Sequence, residues 1–510
     1  MTKKKGGNQV LVVSGIIVIA FVAFGMLFPN TLGSVANLLF SILTEKFGWM
    51  YLITVFLLII FTMFIAVSPM GKLKMGKAED KPEFSDFQWF TMLFGGAMGI
   101  GLVFYSVAEP LMHYMSPPSA QAETTEAMYE AMQTVFFHWG IHPWVIYAIG
   151  GLALGYFSFK KDRPFLVSSA FEPLIGDKIN GPIGMAIDIL AVFATIFGVA
   201  TSLGLGASQI VGGLSYIYGV KTGTLLTCLI IAGITICFTI ATISGLQKGI
   251  QLIADIKIWL SIGFMIFIFV FGGAVFILDL FTNTFGGYLG NIIQKSLWME
   301  NKSFVTGWTV FYWAWWIAWA PFCGQFCARV SKGRTVRQYL LTVSILPAFF
   351  GFIWLGIYGG AAFNLNDING GVILEAIKAD YTTGLFALLK ELPVYVITAP
   401  LALVLIVFSF LGSANSATYV LAMLTDHGNM DPDKKLRAGW GIAQGAVTII
   451  CILIGGTSVL QILQTTSIVA AFPYMIIMIF MCVSIYKTLS KDAVDEGFMQ
   501  GKRESENKNK

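Results

Sequence analysis

The stretch "FYWAWWIAWAPF", Phe311 to Phe322, sets four tryptophans, Trp313, Trp315, Trp316 and Trp319, into seven residues of a chain that has thirteen in all. At 100° per residue of α-helix, Trp308, Tyr312, Trp315, Trp316 and Trp319 fall within an arc of about 100°, while Trp313 points away. A stripe of more than three turns cannot sit at a single membrane–water interface, so it reads as the wall of a path or pocket. A second aromatic group, in "FFHWGIHPWVIYA", places Trp139, Trp144 and Tyr147 within an arc of about 140°, with Pro143 able to bend the helix between them. Ring faces hold what hydrogen bonds cannot. A quaternary ammonium group has a full charge and no N–H, and cation–π attraction to Trp or Tyr contributes from about 0.5 kcal/mol at exposed sites to about 2 kcal/mol or more when desolvated. A third stretch, "GGAMGIG" (95–101), has four glycines in seven residues. Each costs up to about 1 kcal/mol relative to alanine in a helix, so this is a weak or unwound point whose free backbone N–H groups can receive a carboxylate. The three segments describe a pocket for a small methylammonium zwitterion or cation, with Ala97, Met98 and Gly99 as its backbone side.

Two pairs at helical spacing, His138 with His142 and Cys323 with Cys327, have the geometry of partial metal sites. With no further ligand in view, the histidines read as polar residues at a helix end and the cysteines as small residues at a helix contact. No metal and no cofactor is expected. No P-loop follows a strand and no acid, base or nucleophile cluster has catalytic spacing, which argues against a primary pump and against a membrane enzyme.

The elements that must position these residues are membrane helices. The chain is 56% hydrophobic and 12% charged, whereas a soluble domain is about a quarter charged. Twelve apolar runs long enough to span about 30 Å of hydrocarbon are read near 10–28, 51–69, 88–112, 134–158, 185–215, 222–244, 250–280, 304–330, 338–363, 396–424, 438–456 and 467–486. Placing the amino terminus in the cytoplasm puts 25 of the 32 Lys and Arg on the inner side, six outside and Lys257 within a span. Both termini are then cytoplasmic. Glu109, Glu123, Glu126 and Glu130 make an acidic outer connection after the third run. The net charge of +4 reflects this topology and is not a nucleic-acid footprint. One transmembrane domain is expected over 1–510, ending in a short charged tail, 487–510.

The motifs "GIGLVFYSVAEP", "FFHWGIHPWVIYA", "TSLGLGASQ", "GWTVFYWAWWIAW" and "ARVSKGRTVRQ" make the chain resemble the betaine/carnitine/choline transporters along nearly its whole length. The resemblance implies an all-α, LeuT-like fold with inverted five-helix repeats from spans 3–7 (about 88–280) and 8–12 (about 304–486). It also implies a homotrimer in the plasma membrane. Matched to the family, the ammonium cage falls on Trp139, Trp144, Tyr147 and Trp316, with Trp315 and Trp319 lining the path. Ala97 stands where betaine carriers often have glycine. The segment "IAWAPF" is similar to betaine-type members, so glycine betaine or choline is the expected substrate and carnitine or γ-butyrobetaine the alternative.

Coupling departs from the family pattern. Where sodium-coupled members usually carry "TSADS", this chain has "GSANS" (412–416), which keeps Ser413 and puts Asn415 in place of an acid. Where a second sodium site uses two threonines four apart, it has Thr195 and Val199. The segment "GLQKGIQLIADIK" puts Lys257 where sodium-independent exchangers have arginine. Lys257 therefore reads as a surrogate for sodium, beside Met98, Thr195 and Ser413, against the plainer reading of a lysine that snorkels to the surface. Sodium-coupled or proton-coupled symport is the alternative within the class. A ligand-gated sensor or channel is the reading from a different class, and no large signalling domain supports it.

Overall fold

The structure is a computed structural model, which describes residues 9–97, 99–244, 247–455 and 459–500. The chain runs as helices α1 Gln9–Leu27, α2 Pro29–Val67, α3 Asp86–Ala97, α4 Ile100–Met115, α5 Thr125–Trp139, α6 Ile141–Gly155, α7 Glu172–Ile175, α8 Pro182–Tyr218, α9 Thr224–Ser244 and α10 Gln247–Phe271. It continues as α11 Ala274–Ser296, α12 Lys302–Phe304, α13 Phe311–Arg329, α14 Val336–Ile368, α15 Val372–Ala379, α16 Gly384–Lys390, α17 Tyr395–Leu424, α18 Lys434–Gly455 and α19 Val459–Asp495. Among the described residues, ten helical runs are long and apolar enough to cross a membrane.

Two of the twelve expected runs are not among those ten, and each has a physical cause. The run near 88–112 is interrupted after Ala97 and becomes two shorter helices, α3 and α4. The run near 304–330 opens on a π-helical turn, Val305–Val310, and its helix α13 buries fifteen of nineteen residues in protein. A helix surrounded by protein can afford tryptophan, glycine and glutamine where lipid would demand leucine.

Three expected boundaries move. The run expected at 51–69 is the end of α2, which starts at Pro29; proline at a first helical position needs no N–H partner. The run expected at 250–280 stops at Phe271, because Gly273 takes a left-handed φ of 96° before α11 begins. The last helix continues through Asp495, so the segment expected as tail from 487 is helical for its first part.

The basic connections meet at one end of the bundle. Lys160 pairs with Glu496 at 2.5 Å and Lys161 with Asp492 at 2.6 Å, tying the end of α19 to the turn after α6. Lys77 pairs with Asp162, and Arg334 with Asp86 at the start of α3. Arg329 reaches Glu83 at 2.7 Å and, by that hydrogen bond, holds the Glu83 carboxyl below its usual range. Both partners are half exposed, so the pair contributes at most about 1 kcal/mol.

Candidate functional site

The glycine stretch places a helix start inside the bundle. α3 ends at Ala97 and α4 begins at Ile100, with Gly99 extended (φ −85°, ψ 165°) as its cap. Met98 lies outside the described residues. The first N–H groups of α4 have no partners within that helix, so its positive end is available to an anion. The second aromatic group is also split: α5 ends at Trp139, the chain turns at Gly140 (φ −83°, ψ −129°), and α6 carries Trp144 and Tyr147. The bend expected at Pro143 is therefore a break three residues earlier, and Pro143 sits in the first turn of α6.

These pieces close around one cavity with about 560 Å³ of empty space including its mouth, lined on one side by Gly99, Gly101 and Leu102 of α4. Of the eight aromatic residues placed on the two faces by the sequence, Trp139, Trp144, Tyr147, Trp315, Trp316 and Trp319 line the same cavity, whereas Trp308 and Tyr312 are not among its lining residues. Trp316 stacks on Trp315 at 4.7 Å and 13°, while Trp139 meets Trp316 edge to face at 4.9 Å and 67°. Tyr147 is nearly perpendicular to both Trp316 (6.4 Å, 82°) and Trp144 (5.4 Å, 83°). These rings stand at several angles to one another around one small volume.

The indole N–H groups are held by protein acceptors. Trp316 donates to the carbonyl of His138 (3.1 Å), Trp315 to Ser202 Oγ (3.1 Å), Trp319 to the carbonyl of Gly198 (2.9 Å) and Trp139 to Glu109 Oε2 (2.7 Å). Each bond helps to fix a ring plane at the cavity wall. Among the described residues the lining has no charged side chain.

Glu109 corrects the sequence reading. Expected on an acidic outer connection, it is buried inside α4, which continues past Pro110 to Met115. His138 and His142, expected as helix-end polar residues, do sit at a helix end and start, but both are buried. They take different partners: His138 bonds Glu109 and Thr309, whereas His142 bonds Ser296 and stacks on Trp313 at 4.9 Å. Glu109, His113 and His138 have ligand atoms within 4.8 Å of one another, close enough for a metal. Their facing atoms are instead satisfied by hydrogen bonds among themselves, at 2.8 and 3.1 Å. The cysteines are free thiols, Cys323 lining the cavity and Cys327 buried behind it.

The family model of the betaine/carnitine/choline transporters matches residues 9–494. The chain belongs to the betaine/carnitine/choline transporter family. It is 61% identical over 488 residues, 96% of this chain and 98% of the relative, to a probable glycine betaine transporter of Desulfitobacterium hafniense (strain Y51). It is 43% identical over 482 residues, 93% of each chain, to a glycine betaine transporter of Bacillus subtilis (strain 168). It is 39% identical over 496 residues, 96% of this chain and 98% of the relative, to an ectoine/hydroxyectoine transporter of Virgibacillus pantothenticus. The family, together with the ten apolar helical runs among the described residues, makes this a multi-pass transporter of the plasma membrane.

Of the residues read for coupling, Thr195, Ser413 and Lys257 are not among those lining the aromatic cavity. Thr195, buried in α8, donates its hydroxyl to the carbonyl of Ala191 in its own helix (2.8 Å). Ser413 is half-buried on α17, where Asn415 accepts a bond from Thr242 (3.1 Å). Lys257 is half-buried in α10, which packs against α14 and α17. Its neighbour Ile258 reaches the glycine stretch: a Cβ on Gly95 would lie 3.5 Å from Ile258 Cδ1. Lys257 thus directly precedes the residue of α10 that meets α3 at Gly95.

Sequence reasoning missed Gly101, Leu102, Pro143, Cys323, Pro347 and Gly351 as lining residues. For Gly101 the signal was present in the glycine stretch itself. Pro347 and Gly351, one turn apart on α14, carry nothing in the sequence that separates them from a helix contact.

Proposed function

We propose that this transporter moves a small quaternary ammonium compound, glycine betaine or choline, by alternating access, without sodium. The observation that carries the substrate class is the cavity lined by Trp139, Trp144, Tyr147 and Trp316 beside Gly99 and Gly101 at the start of α4. The rings suit a methylated ammonium, which offers no N–H to acceptors. The open first turn of α4 suits the carboxylate of glycine betaine. Relatives named as glycine betaine transporters at 61% and 43% identity support the same substrate.

Lys257 supports sodium independence. It is a cationic residue in α10, next to Ile258, which meets Gly95 of α3, in a chain whose "GSANS" and Thr195/Val199 positions lack oxygens that sodium-coupled members have. The proposal is tested by uptake of labelled glycine betaine into proteoliposomes with inward sodium, with potassium and with a pH gradient, choline and ectoine serving as competitors. Equal uptake in sodium and potassium is expected. Uptake that requires a sodium gradient returns the protein to sodium symport, and failure of glycine betaine and choline to enter overturns the substrate reading.

Within this reading, Trp316→Leu is expected to raise the Kd for glycine betaine by about tenfold or more, the loss of one desolvated cation–π face. Binding to purified, monodisperse protein checks it. An unchanged Kd removes Trp316 from the ammonium site.

A further inference from the structure

We infer that Glu109 is the counter-charge of the ammonium site, acting through the indole of Trp139; the inference rests on the quaternary ammonium reading above. The aromatic cavity has no acidic side chain among its described lining residues, yet the ligand it suits brings a full positive charge into the bundle. One carboxylate stands directly behind the rings. Glu109 Oε2 accepts from Trp139 Nε1 at 2.7 Å and from Tyr312 Oη at 2.5 Å. Glu109 Oε1 accepts from His138 Nδ1 at 2.8 Å and from His113 Nε2 at 3.1 Å.

The hydrogen-bond inventory identifies the carboxylate as the acceptor of all four contacts. An indole N–H can only donate. His138 with its proton on Nδ1 donates to Glu109 while its Nε2 accepts from Thr309 Oγ1 at 3.1 Å, so this ring is satisfied as a neutral imidazole. An ionised carboxylate has about four acceptor sites, and the donors from Trp139, Tyr312, His138 and His113 fill all four. The Trp139 indole and the Tyr312 hydroxyl donate as neutral groups, so the charge of the carboxylate bears on the aromatic wall.

Trp139 is where that charge meets the cavity. The other three indoles tied down around it, Trp315, Trp316 and Trp319, donate to neutral oxygens. Trp139 alone among these four makes a charge-assisted bond, the shorter and stronger kind. A carboxylate on the N–H of an indole pushes electron density toward the ring, and in a low-dielectric interior such polarisation along a chain of bonds is enhanced. The result is a ring face more attractive to a cation. Tyr312, bonded to the same oxygen, stacks on Trp316 at 5.6 Å and 25°, so two walls of the cavity are registered on one carboxylate. Tyr105, one turn before Glu109 on α4, packs against Trp139 (6.1 Å) and Tyr312 (5.7 Å) and completes the backing of the wall.

Glu109 is thus a positioning residue with an electrostatic role, and the two parts separate experimentally. The probe pair is glycine betaine and its carbon isostere 3,3-dimethylbutanoate, which has the same shape and carboxylate but no positive charge. In Glu109→Gln the Kd for glycine betaine is expected to rise about tenfold or more, while that of the isostere changes less than about twofold, so the preference for the cation collapses. Glu109→Asp, which keeps the charge, retains most of that preference. If Glu109→Gln does not reach the membrane, replacing Trp139 by β-(3-benzothienyl)alanine removes the N–H but keeps the bicyclic ring, and the same selective loss is expected. Equal loss for both ligands, or no loss for either, overturns the inference and leaves Glu109 a packing residue. Absence of saturable glycine betaine or choline binding by the unaltered protein would instead overturn the substrate reading, and this inference with it.

Discussion

Gly101→Leu is expected to abolish uptake, and Gly99→Ala to leave it close to the parental rate. The two glycines are two residues apart and both line the cavity, yet they meet different surroundings. A Cβ on Gly99 would find nothing within 4 Å, whereas one on Gly101 would lie 2.6 Å from Trp315 Cη2 and 3.1 Å from Trp139 Cη2. Neither ring can step aside cheaply. Trp315 is held by its bond to Ser202 and sandwiched by Trp316 at 4.7 Å and Phe311 at 5.5 Å. Trp139 is held by Glu109. Even one added methyl in such a packed place costs about 1 to 3 kcal/mol, and a leucine would displace both rings from the ammonium site. The measurement is uptake of labelled glycine betaine at matched membrane expression. Normal uptake by Gly101→Leu would mean that the first turn of α4 is remote from the permeation path, and with it the proposed site.

Much of this site was legible because it repeats at helical spacing. Trp315, Trp316 and Trp319 announce a shared face by position alone, and the glycine stretch announces an interruption in an otherwise apolar run. What was not legible depends on contacts between elements distant in the chain. Gly101 looks no different from Gly99 in sequence; what separates them is a tryptophan 214 positions later. Glu109 precedes a proline and a series of acidic residues, which reads as the end of a span. In the fold, Pro110 is carried inside α4 and the carboxylate turns inward to donors from α4, α5 and α13, a set that no local pattern contains. The fold boundaries failed for the same reason. Gly273 ends α10 by its left-handed backbone, and α2 extends back to Pro29 through residues too polar for a hydropathy window yet free to be helical.

Substrate affinity in Lys257→Met is expected to fall sharply in potassium and to recover, at least in part, as potassium is replaced by sodium, whereas the parent is indifferent to the exchange. The reasoning starts from charge. A cation held near the break between α3 and α4 stabilises the unwound backbone, whose carbonyls at the end of α3 carry the negative end of a helix dipole. In the sodium-coupled pattern a bound ion supplies that charge and is carried with the substrate. Here a side chain can supply it permanently, from α10, whose Ile258 lies against Gly95 near the end of α3. A fixed charge cannot be driven by a sodium gradient, so transport then follows the substrate's own gradient or runs as exchange. Methionine preserves much of the length and apolar volume of the lysine stem, so a loss in Lys257→Met reports on charge more than on packing. Recovery in sodium requires oxygens to receive the ion, and Ser413 and the carbonyls near Met98 are the groups the sequence offers. The decisive comparison is the Kd for glycine betaine in sodium and in potassium buffer for both proteins, repeated at two pH values because a buried lysine can also release its proton. A parent whose affinity climbs with sodium would sink the surrogate role. So would a Lys257→Met variant that binds and transports like the parent in potassium, since a lysine that only snorkels to the surface is dispensable for the substrate.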